Sequence, residues 1–591
     1  MSDRNNSFAA IVPGFHPGPG LVALLNSLRS AIPGPAELAF LGMIASVALA
    51  EVLFILKFSL SPLPFWFGVL ISMSLAGLKS KKCLFWLLVI YAFGLFLSFA
   101  GESYFTTDAM KAYFPMQRIL AEGWNPVWEM SQDKICAYAG TKIVGSYYIE
   151  YCPHLTALVA AMVDRTFGLF SADPFCGIVM MSVVGSLAYR LAIAVWHSRW
   201  VAVALALSIA VTTKITNFLS GHVDYTIYAM MMVALLSGGL WVCSRRKTDL
   251  LIFMAAAGGA MASKATGVPF AIVCCAAMIA YSWKDRGFWR VFLPGLLIVA
   301  LLCVSPYIVN VVHHGSPFPT VDLTDDFVGN ADAMRMGWLL KCIYAWVSPQ
   351  VAIGVGKIFY GSDFMPVFSR SITSFEPIYR WFFVIRWLLF VSLLAVIMGK
   401  KNVVVVICLL IFATCNLMPT RYIGFVRYCP QLWCLPILAI LNFLFTYEVK
   451  SYVVQVVIRA GKVVTISAIF TLSCFILLRT AAYYERCIAW HSARVHELEK
   501  MVAKSKQWRI EESRDLEIGT AVKLCTWNGI DIVADPDAPS AAVFAKYAIV
   551  SALPIDPAVI ERFGSKFGIL NSPGAMMRFD WLAAFKNPRF E

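Results

Sequence analysis

A chain of 591 residues with 59% hydrophobic and only 14% charged residues is not a soluble multidomain protein, since soluble chains carry about 25% charged residues. Lys and Arg outnumber Asp and Glu by 49 to 35, a net charge of +14. Long continuous apolar runs recur over most of the length. They exclude a disordered chain, a secreted disulfide scaffold and a β-barrel, whose strands would alternate.

The composition therefore predicts an all-α polytopic membrane protein. In such a chain excess Lys and Arg sits in cytoplasmic loops and fixes orientation. No basic cluster with interleaved aromatics suggests a nucleic-acid surface, so no nucleic acid is expected as partner. The cysteines fall mostly inside apolar runs, as do Cys274, Cys275, Cys303 and Cys408, where they behave as small hydrophobes. Neither a CxxC pair nor HExxH is present, so a zinc site has no support. The first apolar run starts near Ala36, too late for a cleaved signal peptide.

In chain order, 1–35 reads as a cytoplasmic N-terminal segment and 36–482 as the membrane domain. Spans are expected at 36–58, 63–78 and 83–100, leaving 101–153 as a first outer loop. Basic residues then mark inner loops: Lys79, Lys81 and Lys82; Arg245, Arg246 and Lys247; Lys284, Arg286 and Arg290; Lys400 and Lys401; Lys450, Arg459 and Lys462. Three apolar stretches, 154–170, 175–196 and 200–220, fall where parity allows two crossings. The first is read as interfacial, because Asp164 and Arg165 interrupt it; a re-entrant 200–220 is the alternative. Spans follow at 224–243, 250–263, 267–283 and 291–311, then a second outer loop, 312–377. The last spans are 378–398, 402–418, 429–446 and 463–482, giving about 13 transmembrane helices in all. From Tyr483 the composition changes. A charged helical stretch through Arg514 precedes short apolar runs at Val522–Trp527, Ile530–Ala534 and Tyr547–Leu553. These suggest a small extracytoplasmic α/β or α+β domain over 483–591.

Chemistry is sought in the outer loops. Asp108, followed by Lys111 and Tyr113, lies just beyond the outer end of a span. A carboxylate there can take a proton from a hydroxyl or orient a metal ion; it can equally cap a helix. Asp224, after Gly221 and His222, presents the same two alternatives at the start of another span. Arg421 and Arg427, flanked by Tyr422 and Tyr428, occupy an outer turn where the orientation rule expects few cations. Guanidinium suits a lipid-linked phosphate, and snorkelling to headgroups is the alternative. Lys264 and His313-His314 sit near the outer ends of two other spans. Gly258-Gly259 before Ser263-Lys264 lacks the Gly that a P-loop places before Lys. Cys136 and Cys152 share one loop and form either a disulfide or two free thiols, and Cys487 and Cys525 invite the same question.

With these residues in view, the chain resembles the GT-C superfamily of membrane glycosyltransferases, which includes aminoarabinose transferase and protein O-mannosyltransferases. The resemblance spans about residues 80–450. It rests on Asp108 in Thr-Thr-Asp-Ala-Met-Lys-Ala-Tyr-Phe-Pro, on Gly123-Trp124-Asn125-Pro126, on Asp224, on Arg427-Tyr428-Cys-Pro430, and on Ser305-Pro306-Tyr307 through His314-Gly315. Where many relatives have Asp-Glu, Asp108 here is followed by Ala109.

The resemblance implies an inverting enzyme of the cell (inner) membrane that uses a polyprenyl-phosphate sugar. Asp108 would be the catalytic base, and Arg427, Arg421 and Lys264 would hold the donor phosphate. Asp224, His222, Tyr113, Tyr428 and His314 would line the substrate site. No nucleotide site is required, no cofactor is assigned, and a divalent cation is left open. The acceptor, whether glycan, lipid or protein, is not legible. A flippase or transporter of lipid-linked saccharides would place charges at mid-bilayer depth, where Glu51 is the main exception. A non-catalytic assembly or sensor protein is the third reading.

Overall fold

The computed structural model describes residues 29–100, 114–130, 155–169, 172–211, 224–317, 403–416, 434–446, 451–510, 530–532, 537–544 and 549–551. The helices are α1 (Pro35–Ile55), α2 (Leu63–Lys79), α3 (Lys81–Ala100), α4 (Phe114–Ala121), α5 (Leu155–Phe167), α6 (Asp173–Trp196) and α7 (Arg199–Ala210). They continue with α8 (Asp224–Ser244), α9 (Lys247–Ser263), α10 (Gly267–Ser282), α11 (Arg286–Leu302), α12 (Val309–His314), α13 (Val403–Asn416), α14 (Cys434–Thr446) and α15 (Tyr452–Lys504). Among the described residues five helices are long and apolar enough to cross a membrane: α1, α3, α6, α8 and the first part of α15. A sixth is added if α11 and the segment Val304–His314, bent by 57°, count as one span.

Local chemistry sets the helix ends. Pro35 opens α1, where a missing N–H costs nothing. Ser198 accepts from the Val201 amide to cap α7, and Asp285 accepts from Gly287 and Phe288 to cap α11. α1 and α2 cross at Gly42 and Gly68, where a Cβ on either glycine would strike the other's backbone oxygen. Small residues let membrane helices approach in this way. α8 lies at the centre: Tyr228, Met231, Val233, Leu236 and Trp241 are buried, and α6, α9, α10 and α13 pack around it.

Among the described residues, the basic loops at Lys79–Lys82, Arg245–Lys247 and Lys284–Arg290 gather at one end of this bundle. Lys79 donates to the carbonyls of Ile32 (2.6 Å) and Pro33 (2.8 Å), and Arg29 donates to Leu78 (3.2 Å). Arg190 on α6 bridges Glu37 on α1 (3.1 Å) and Asp249 on α9 (2.7 Å). Both acids are buried, and Ser186 and Ser244 donate to them. Each carboxylate thus meets a cation and a hydroxyl, which offsets the cost of taking charge out of water.

Three expected elements differ in detail. The 154–170 stretch is a 13-residue helix, about 20 Å long against a hydrocarbon core of about 30 Å. α5 is packed among α1, α2, α4, α6 and α9, and its Asp164 is paired with Arg118. The span expected at 463–482 is part of a longer helix that begins at Tyr452. Arg459 and Lys462 are therefore helix residues, and the Lys462 ammonium lies 4.7 Å from the Phe445 ring centre. At 53 residues, α15 is about 80 Å long, and its apolar first part is almost wholly exposed. Finally, the helix expected through Arg514 stops at Lys504, and 507–510 is a strand. Trp508 is buried and its indole donates to the carbonyls of Met501 and Ser505, which closes the helix end.

Beyond α15, strands β1 (Gln507–Ile510), β2 (Asp531–Ile532), β3 (Ser540–Phe544) and β4 (Ile549–Ser551) form a sheet of order β2-β1-β3-β4. β1 is parallel to β2 and β3, while β3 and β4 are antiparallel.

Candidate functional site

The end of the bundle opposite Arg190 carries the C-terminus of α1, the start of α2 and a strap formed by residues 123–129. A helix end leaves its last carbonyls without intrahelical partners. The strap supplies them. The Asn125 amide donates to the carbonyls of Phe54 (3.0 Å) and Phe58 (3.1 Å). The Trp128 indole donates to Phe54 (2.8 Å) and Ile55 (3.2 Å), and Lys57 lies over its ring. Within the strap Asn125 Oδ1 accepts from the Val127 amide at 3.0 Å, an Asx turn. Glu129 accepts from the Asn125 amide at 3.2 Å, and Trp124 donates to the Glu129 carbonyl at 3.0 Å. Gly123 has φ +102° and passes against Ser59, a conformation that favours glycine.

A second element reaches this end. Pro306 lacks an N–H, and the helix breaks into a π turn at Val304–Ile308 between α11 and α12. Ser305 donates to the buried carboxyl of Glu51, one turn before the end of α1. Tyr307 donates to the Met261 carbonyl at 2.8 Å. Asn310 is buried and donates to the Pro306 carbonyl, while its Oδ1 has no protein partner. At the far end of α12, His313 Nε2 donates to the Val127 carbonyl of the strap at 3.2 Å.

A third contact is ionic. Arg118 on α4 donates to Glu122 at 2.9 Å and to Asp164 on α5 at 3.3–3.4 Å. Burial pushes Asp164 up to about 6, while the charge of Arg118 and its hydrogen bonds pull the other way.

Of the residues singled out in the sequence, Lys264 ends α9 and His314 ends α12. Asp224 is the first residue of α8, whose Tyr225 and Tyr228 donate to the Ala210 and Ile209 carbonyls at the end of α7. Asp108, Tyr113, His222, Arg421, Arg427 and Tyr428 lie outside the described residues, as do Cys136, Cys152, Cys487's side chain and Cys525. The segments that flank Asp108 are described: α3 runs up to Ala100 at this end, and α4 starts at Phe114. Gly258 and Gly259 are helical and pack on Val299 and Met230, so they cradle no phosphate. Among the described residues no three His, Cys, Asp or Glu side chains gather to hold a metal ion.

Sequence reasoning passed over three groups. Glu51 was read as a charge in an apolar run and Ser305 as part of a short motif, and nothing in their spacing joins the two. Arg118 stands four residues before Glu122, a helical pairing signal, but its partner Asp164 is distant in sequence. The Glu37–Arg190–Asp249 cluster joins three helices far apart in the chain, and no local spacing announces it. Comparison of the chain with protein-family models, with curated proteins and with solved structures finds no match.

Proposed function

We propose that the chain is a membrane glycosyltransferase that moves a sugar from a polyprenyl-phosphate donor to an acceptor at the extracytoplasmic face. One observation supports this best. The segments flanking Asp108, the start of α8 at Asp224, and the ends of α9 and α12 with Lys264 and His314 belong to the end of the bundle opposite the basic loops. With those loops in the cytoplasm, the N-terminus is inside, about 13 crossings place 483–591 outside, and the loop with Asp108 faces the outer leaflet. Asp108 then accepts the proton of the attacking acceptor hydroxyl. The oxygen attacks the anomeric carbon with inversion, and the C–O bond to the lipid phosphate breaks. Arg427, with Arg421 and Lys264, stabilises the charge on the leaving phosphate. Lipid phosphate leaves readily, and the mechanism needs no nucleotide.

The test is sugar transfer by the purified protein in lipid vesicles. Asp108→Asn keeps the size and removes the base, so turnover should fall by about two orders of magnitude or more. A fully active Asn variant sinks the assignment. Arg427→Ala should weaken donor binding by about 1.5–3 kcal/mol, and Arg427→Lys, which keeps charge without the fork, should fall between. Normal donor use by Arg427→Ala would leave Arg427 as a headgroup anchor.

A transporter or flippase of lipid-linked saccharides is the second reading. The buried Glu51 within the α1 span favours it, because ionisable groups inside spans mark transport pathways. It predicts movement of intact donor across the bilayer and no new glycosidic bond.

A further inference from the structure

Three segments distant in sequence close a ring of hydrogen bonds at one end of the bundle. The end of α1 gives its carbonyls to Asn125 and Trp128 of the strap. The strap gives the Val127 carbonyl to His313. The same bent helix returns to α1 through Ser305 and the Glu51 carboxyl. Two of the links use buried polar groups that would be costly to leave unpaired. Glu51 is 2% exposed and Asn125 4%, and a buried polar atom without a partner costs about 1–3 kcal/mol. Glu51 lies within the apolar span of α1, where a polar side chain needs a protein partner.

The bent helix supports the same reading. With Pro306 and the π turn, Val304–His314 is freed from the line of α11, and its direction is set by side chains. Ser305 on Glu51, Tyr307 on the Met261 carbonyl and His313 on the strap are those side chains. One bent segment thus carries both the contact with α1 and the contact with the strap.

We propose that Glu51 is a positioning residue: through Ser305 and the bent helix it fixes the 123–129 strap, and through the strap it supports the transfer step proposed above. The link to transfer rests on the glycosyltransferase reading; the ring does not. Glu51 does not touch substrate.

The experiment uses the full chain in lipid nanodiscs, with amide hydrogen exchange and sugar transfer measured on the same samples. Glu51→Leu and Ser305→Ala each break the link within the span, and His313→Ala breaks it outside the span, where folding is least at risk. Exchange at the Trp128 and Glu129 amides, which donate to the Asn125 carbonyl, should quicken about tenfold or more in all three. Exchange around Arg190 should stay unchanged, which reports an intact bundle. Glu51→Gln keeps an oxygen that accepts from Ser305 and should restore the slow exchange. In transfer, kcat should fall about 10- to 100-fold in Glu51→Leu, the scale of a misplaced catalytic group, with KM within twofold and with rescue by Gln.

Unchanged strap exchange in Ser305→Ala and His313→Ala overturns the ring. Faster exchange with unaltered kcat overturns the positioning role and leaves the transferase reading intact. A Gln variant as impaired as Leu also overturns it, since the hydrogen bond would then not be the working part. Failure of the transferase reading shows elsewhere, as no sugar transfer by the wild type.

Discussion

Single side chains decide how this chain tolerates charge in an apolar setting. Asp164 sits on a short helix outside the spans, buried and paired with Arg118. Burial holds its carboxyl at about 6, above its ordinary 3.8. A carboxyl raised by folding contributes stability that is fully present below its unfolded value and lost as pH rises through the folded one. The wild type should therefore lose stability between pH 4 and pH 6. Asp164→Asn should flatten that slope in thermal unfolding measured across this window, and identical slopes for the two proteins would contradict the assignment. The sequence showed Asp164 as an interruption of an apolar run and nothing more. Its partner Arg118 comes from a different helix, and pairing at that separation leaves no trace in local spacing.

At the scale of elements, the clasp of α1, α6 and α9 by Arg190 is the clearest case of helices held by charge. Removing the guanidinium strands two buried carboxylates. Arg190→Met should destabilise the bundle by about 3–5 kcal/mol. Adding Glu37→Gln and Asp249→Asn should recover most of that, read as the melting temperature in detergent. A single variant as stable as wild type would show that the acids find other partners. The helices themselves were legible where apolar runs were bounded by Pro, Gly or basic residues: 36–58 became Pro35–Ile55 and 267–283 became Gly267–Ser282. Legibility failed where helix and apolarity part company. α15 runs from Tyr452 through Arg459 and Lys462 to Lys504, because good helix formers continue on both sides of the apolar part. Strand β1 was read as helix because its charged residues suit either state. Burial of Trp508, a tertiary event, decides between them.

For the whole molecule, the positive loops do the organising. Lys79, Arg190 and Arg245 reach partners at one end of the bundle, and the strap and bent helix close the other. The grouping of the three described loops was thus readable from charge, while the contacts that bind each end were not, since they join residues far apart in the chain. Orientation extends this to a testable statement: a reporter active only in the cytoplasm, fused after Glu591, should be silent, and clear activity would put the proposed site on the wrong face. The transferase reading stands or falls on one chemical event, the departure of lipid phosphate as a glycosidic bond forms. The most direct measurement follows both products at once, in vesicles containing the purified protein and a polyprenyl-phosphate sugar. Wild type should release polyprenyl phosphate one for one with transferred sugar, and Asp108→Asn should release almost none. Intact donor crossing the bilayer with no phosphate released, or equal release by the Asn variant, would contradict a transferase with Asp108 as its base.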